Sequence, residues 1–289
     1  MKKKHILFTF LLTTISFAVS MEEPFSQNLL FQTYGTDDLA TKPAFQGGYI
    51  NFGYWENIWP KQGEITLEER IKASEALYDL IIDKLEINAQ DKILEVGAGR
   101  GNGCVKIVEE IKPRLVTGVD ITPQQTQRSK DIHQNVIQKY HPCLEFITAS
   151  SSSLPFSDNS YSKIYSVEAA QCFPSIDKFA KEAWRVLQSR GKLVITAHFA
   201  TDQRGYEELK KLIPTVEQGV DRLIPIQSVR LAFKQAGFKE IHFEDIGEHV
   251  FEGQHQWISQ VEDVPWGKNL LETYKKSYMS YYVIALEKL

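Results

Sequence analysis

Ile93-Leu94-Glu95-Val96-Gly97-Ala98-Gly99-Arg100-Gly101-Asn102-Gly103 is the stretch whose reading decides the fold. An apolar run carrying one acid breaks into alternating glycines, the pattern of a buried strand entering a tight turn ahead of a helix. Glycine admits positive φ and leaves no Cβ where backbone amides must approach a ligand, and the following helix offers unpaired N–H groups. Gly97, Gly99 and Gly101 therefore read as a binding loop. The dinucleotide pattern G-x-G-x-x-G would need glycine at 102 and finds Asn102, which counts against a nicotinamide cofactor.

Leu115-Val116-Thr117-Gly118-Val119-Asp120 follows as a second buried strand. It carries an acid at its carboxyl end, at the usual spacing for gripping ribose hydroxyls. Thr122-Pro123-Gln124-Gln125 then opens a helix, with Thr122 expected as N-cap and Gln125 as the far half of a capping box. Strands are expected near 92–96, 115–119, 144–147, 163–167 and 192–197, and helices near 103–111, 123–139 and 176–187. That alternation predicts a doubly wound, mostly parallel sheet. Thr66-Leu67-Glu68-Glu69 is a capping box opening a helix whose apolar stripe runs through Leu67, Ile71, Leu77, Tyr78, Ile81 and Leu85. Residues 200–236 turn helical, with Tyr206 to Leu212 and Ile226 to Ala236, before a sixth strand near 240–244.

The ordered set of motifs resembles the class I S-adenosylmethionine-dependent methyltransferases. Leu154-Pro155-Phe156-Ser157-Asp158-Asn159-Ser160-Tyr161 is similar to that family's L-P-F-x-D-x-x-F/Y turn, and Ile164-Tyr165-Ser166-Val167-Glu168-Ala169 to its fourth strand with a terminal Glu. Trp184-Arg185-Val186-Leu187 with Gly191-Lys192-Leu193-Val194-Ile195 is similar to its R-V-L-x-x-G-G passage, and Asn51-Phe52-Gly53-Tyr54-Trp55 to the upstream N-x-G-Y-W of its small-molecule branch. That branch includes tocopherol, sugar, sterol and antibiotic methyltransferases. The resemblance runs from about residue 45 to 289. It implies a seven-stranded Rossmann-like methyltransferase fold whose last strand, within 278–289, lies antiparallel between the fifth and sixth.

It also implies S-adenosylmethionine as cofactor and a small-molecule acceptor. Glu95, Gly97, Ala98, Gly99, Gly101, Asp120, Ile121, Gln125, Ser150, Ser151 and Val167 would line the donor site, with Tyr49 and Tyr54 offering aromatic faces to a sulfonium cation. Cys172, Gln171 and Trp55 would face the acceptor. Ser150 stands where the family carries an acid for the adenine amino group, Ser162 where it carries the D of F-D-x-V, and Cys172 where it often carries a histidine. Glu168 and His198 end neighbouring strands at the edge where open α/β sheets bind ligands, which makes them the candidate bases. The alternatives are a noncatalytic exported binding protein on this scaffold and a nicotinamide oxidoreductase.

Composition bounds these readings. The 289 residues are 43% hydrophobic and 24% charged, ordinary for a globular chain, and a net charge of −4 with no basic block past the amino terminus argues against nucleic acid as partner. A Pro-Pro-Tyr element after the fourth strand, expected of base methyltransferases, is replaced by Val167-Glu168-Ala169-Ala170. Cys104, Cys143 and Cys172 form neither an even disulfide set nor a C-x-x-C pair, so no metal is expected. Lys2-Lys3-Lys4, the apolar run to Val19 and Ala18-Val19-Ser20 compose a signal-peptide pattern over 1–20, too short for a stable membrane anchor. Export to the periplasm or medium is the expectation, with a cytoplasmic start at Met21 as the alternative. A lid over 21–65 and a methyltransferase domain over 66–289 complete the expected organisation, with core motifs in 92–199, a substrate insertion in 200–236 and final strands in 237–289. The oligomeric state is left open.

Overall fold

The computed structural model describes residues 27–262 and 264–289, so the expected signal peptide and the first residues of the expected lid lie outside the described residues. Seven strands form one sheet: β1 (Lys92–Val96), β2 (Leu115–Asp120), β3 (Leu144–Thr148), β4 (Tyr161–Val167), β5 (Leu187–Ala200), β6 (Phe238–Asp245) and β7 (Met279–Lys288). Their order is β3-β2-β1-β4-β5-β7-β6. β1 to β5 pair in parallel, while β7 runs antiparallel to β5 and β6, as the sequence led one to expect. The chain winds outward from β1 in one direction and from β4 in the other, which leaves a crevice over their carboxyl ends.

Local sequence explains the elements that frame that crevice. The helix Leu67–Leu85 begins at the foreseen capping box, with Thr66 and Glu69 exchanging both bonds. Its stripe of Leu77, Ile81 and Leu85 is fully buried, each worth about 1.5–3 kcal/mol against exposure. Leu67, read as part of the stripe, sits at the helix start and is 45% exposed. One apolar cluster joins this helix to the sheet, and a second fills the opposite face beneath the helices Ile176–Val186 and Ile226–Ala236.

Two differences from expectation bear on the site. The helix foreseen over 123–139 breaks at His133 into Pro123–Ile132 and Gln134–Lys139, where the His133 ring turns back to Arg100 O at 3.0 Å. Two further helices, Phe251–Val261 and Pro265–Lys275, lie between β6 and β7. The first of them buries Phe251, Gln254, Trp257 and Ile258 at helical spacing, and Trp257 Nε1 donates to Ala44 O at 2.9 Å. The first helix backs the amino-terminal segment, while the second lies against β7 and the helix Gln203–Leu212. No helix of the described residues is long and apolar enough to cross a membrane.

Candidate functional site

A cavity open to solvent on one side lies over the carboxyl ends of β1, β2 and β4, the edge at which open α/β sheets bind ligands. Its floor is the glycine loop. Gly97 and Ala98 N–H both donate to Val119 O, at 2.8 and 2.9 Å, pinning the loop to the end of β2. Gly97 has φ +84°, and a Cβ there would stand 2.2 Å from the Ala169 methyl, so only glycine lets the loops after β1 and β4 cross. Gly99 has φ +52°, but an added Cβ would meet nothing within 4 Å because that side faces the cavity. The backbone there is a cradle open to a ligand.

Asp120 closes the loop from the β2 side. Its Oδ2 accepts from Gly99 N–H at 3.0 Å, and its Oδ1 accepts from Thr122 N–H at 2.9 Å and Thr122 Oγ1–H at 2.7 Å. Burial pushes this carboxyl up and those three donors pull it back. The expected Thr122–Gln125 capping box is absent: the threonine hydroxyl is turned to Asp120 and makes no cap bond to the helix. Gln125 is buried in the cavity wall with Oε1 unpartnered, and Ser151 is buried in the same wall with Oγ unpartnered. Buried polar atoms without partners are rare and point to a missing donor or acceptor. Ile121, Val167 and Ala98 complete the apolar lining.

The roof comes from the amino-terminal segment, which is stitched down by polar contacts. Asn102 Nδ2 donates to Gly48 O at 2.9 Å, above the glycine loop. The fully buried Arg70 donates to Asn51 O at 2.5 Å, and Tyr54 N–H donates to Ala73 O at 2.7 Å. Phe52 N–H donates to Glu168 Oε1 at 2.6 Å. Glu168 has φ +44°, an uncommon conformation for a side-chain-bearing residue, and also accepts from Tyr281 OH at 3.0 Å. Burial raises its carboxyl to about 8 against these donors and Arg70. Tyr49 reaches the cavity with its ring while its hydroxyl donates to Glu75 at 3.1 Å.

Several expected site residues stand elsewhere. Glu95 points away from the cavity, where Cys104 Sγ–H and Tyr165 O–H donate to Oε2 at 2.9 and 2.8 Å, and burial raises it to about 7. The Cys104 backbone N–H at the start of the following helix adds a further donor. Gly101 caps the following helix at φ +81°, with Phe146 and Ser129 where its Cβ would go. Ser150 Oγ accepts from Ser152 N–H at 3.2 Å, so the wall position belongs to Ser151. Tyr54 bonds Glu56 at 2.9 Å and packs its edge on His249, while Trp55 is buried against Gly253 with Nε1 donating to Phe52 O. Gln171 is buried outside the lining, donating to Glu168 O at 2.9 Å. His198, opposite Tyr281 in the β5–β7 register, stacks on Phe52 at 5.1 Å and does not line the cavity. Burial drives its imidazole down to about 4, so at neutral pH the ring is uncharged and only a weak proton acceptor.

Sequence reading also missed residues. Tyr34, Leu30, Phe173 and Pro174 line the same cavity as Cys172 and Glu168. Tyr34 is delivered by Arg128, whose guanidinium donates to Tyr34 O and Thr36 O at 3.3 and 3.4 Å, a long-range contact with no local signature. Among the described residues no group of three or more His, Cys, Asp or Glu is placed to hold a metal ion.

The chain matches the methyltransferase domain family model over residues 94–195. It is 27% identical over 258 residues to the erythromycin 3''-O-methyltransferase of Saccharopolyspora erythraea, covering 86% of this chain and 78% of that one. It is 23% identical over 211 residues to the 27-O-demethylrifamycin SV methyltransferase of Amycolatopsis mediterranei, covering 71% of each. Among solved structures, geranyl diphosphate methyltransferase in complex with SAM superposes with a TM-score of 0.72 at 14% identity, over 83% of this chain and 99% of that one.

Proposed function

We infer that this chain, a class I S-adenosylmethionine-dependent methyltransferase, holds its donor across the glycine cradle and Asp120 and methylates a small, partly apolar molecule entering beside Tyr34 and Phe173. The observation that carries the reading is the cavity wall itself. An open glycine at 99, a half-buried acid at 120 and two unpartnered buried polar atoms, on Gln125 and Ser151, converge on one space. Asp120 suits a ribose diol, because its remaining lone pairs accept from hydroxyls. Ser151 and Gln125 suit the polar edges of the adenine or amino-acid ends. Tyr49 offers an aromatic face to positive charge.

When bound, S-adenosylmethionine supplies an electrophilic methyl group on a sulfonium whose departing half is a neutral thioether. The chain's own work is then alignment and water exclusion, which can contribute on the order of 7–11 kcal/mol. The loop amides fixed on Val119 O set the floor, and Phe52 N–H on Glu168 sets the roof. Glu168, mostly protonated at neutral pH, acts here as the anchor of that roof. The name of the erythromycin relative specifies an oxygen as its methylated position, which supports an oxygen acceptor here too. Titration calorimetry with S-adenosylmethionine, S-adenosylhomocysteine and NAD tests the reading. Binding of the first two and not the third is expected; binding of NAD alone overturns it.

A further inference from the structure

Three polar groups from distant parts of the chain meet in the cavity wall just past Ala169, the residue that packs on Gly97 of the glycine loop. Cys172 Sγ lies 3.1 Å from Asp221 Oδ1 and 3.6 Å from the Tyr34 hydroxyl. A thiol has one proton, so it goes to the carboxylate, the stronger acceptor, and the phenol O–H turns toward sulfur. Tyr34 and Cys172 face the cavity, while Asp221 stands one side chain behind them. Its place is fixed from both sides. Asp221 N–H donates to Thr215 O at 3.0 Å, and Arg222 N–H donates to Gln171 O at 2.6 Å while its guanidinium donates to Pro174 O.

We propose that Tyr34, Cys172 and Asp221 form the acceptor subsite for a hydroxyl group, with the Asp221 carboxylate as the final holder of the hydroxyl proton. This rests on the methyltransferase reading above. A neutral alcohol or phenol is a poor nucleophile until its proton has somewhere to go, whereas a free amine needs no such acceptor. The acceptor O–H bond breaks and its proton goes to Cys172 Sγ as the thiol proton moves to Asp221 Oδ1. The oxygen pair forms the O–CH₃ bond, and the methyl–sulfur bonding pair returns to the departing thioether. The thiol is neutral before and after, and Asp221 is left protonated, to be reset from solvent. The surroundings agree: burial and the Asp221 charge both push the Cys172 thiol and the Tyr34 phenol well up, so neither ionises on its own.

The test reads the thiol first. Alkylation of Cys172 by iodoacetamide at pH 8, followed by peptide mass spectrometry with Cys143 as internal reference, should accelerate at least fivefold in Asp221→Asn, because removing the anion eases ionisation of the thiol. Turnover is read with labelled donor on resorcinol, cyclohexanol and cyclohexylamine. Methyl should go to oxygen, with kcat falling about 100-fold or more in Asp221→Asn and Cys172→Ala, KM little changed, and recovery to within tenfold in Cys172→Ser, whose hydroxyl can pass a proton. Unchanged Cys172 reactivity in Asp221→Asn, or methylation of the amine in preference to the hydroxyls, overturns the proposal. Calorimetry separates the two levels. A wild-type chain that does not bind S-adenosylhomocysteine defeats the methyltransferase reading, whereas one that binds it while Cys172 ignores Asp221 defeats only the subsite.

Discussion

Replacing Asp120 by Asn tests the donor end most sharply, since the two side chains have nearly the same shape. Asn keeps an oxygen for Thr122 N–H and Oγ1–H, now at 2.9 and 2.7 Å from Asp120 Oδ1. It then places an NH₂ where Oδ2 accepts from Gly99 N–H at 3.0 Å, so donor faces donor and the cradle must shift. Losing one charge-assisted bond to a ribose hydroxyl costs about 1.5–3 kcal/mol and the loop bond about 0.5–1.5 kcal/mol more. The sum, about 2–4.5 kcal/mol, weakens S-adenosylhomocysteine by about 30- to 1,600-fold. Titration calorimetry at fixed pH and salt measures it, with a melting curve to show that the variant is folded. A dissociation constant within threefold of wild type in a folded variant would refute the ribose assignment and with it the orientation of the donor.

The two glycines should separate packing from binding. Gly97→Ala should destabilise the fold by about 2–4 kcal/mol in urea denaturation, from positive-φ strain and the clash with Ala169, while Gly99→Ala should leave stability within about 1–2 kcal/mol and lower donor affinity. Glu95 is raised to about 7 by burial, so the folded state keeps a proton that the unfolded state releases. That stability is fully present below about pH 4.5 and is lost as pH rises through about 7, a span of ~3 kcal/mol; Glu95→Gln should flatten this part of the curve, and an unaltered slope would contradict it. The imidazole of His198, held down to about 4, should show no titration by NMR between pH 5 and 8, and a midpoint above 6 would reinstate it as a base. For localisation we propose export: a fusion of residues 1–40 to a periplasm-dependent reporter should be exported, and Lys2, Lys3 and Lys4→Glu should abolish it, whereas export indifferent to those charges would sink the idea.

What the sequence made legible follows from what is local. The loop from Gly97 to Gly101, the acid at Asp120 and the capping box at Thr66 each depend on a few consecutive residues, and each is found where its spacing puts it. Alternating strands and helices gave the sheet, and the last strand's antiparallel place came from the family likeness. Side-chain direction was harder. Glu95 and Asp120 both sit in or at the end of buried strands, but a strand turns successive side chains to opposite faces, and Glu95 falls on the side occupied by Cys104 and Tyr165. The serines at 150 and 151 differ by the same single step. The first helix after β6 escaped notice because its buried side chains answer to Trp55 and Ala44, some 200 positions earlier in the chain.

The acceptor side was least legible because no two of its groups are neighbours in sequence, and its chemistry follows from how they divide the labour. Glu168 and Asp221 both act on the Tyr34 phenol, yet they are held differently. Glu168 spends Oε1 on the roof amide of Phe52 and on Tyr281, in a strained backbone position that the structure keeps only because those contacts fix it. Raised to about 8, it is mostly an acid at neutral pH and must lose its own proton before it can take another. Asp221 instead accepts from Cys172, whose sulfur lines the cavity. The roof therefore closes on one carboxyl and the acceptor proton leaves toward the other. Glu168→Gln should accordingly loosen residues 49–54, read as faster amide exchange at Phe52, while leaving the alkylation rate of Cys172 governed by Asp221.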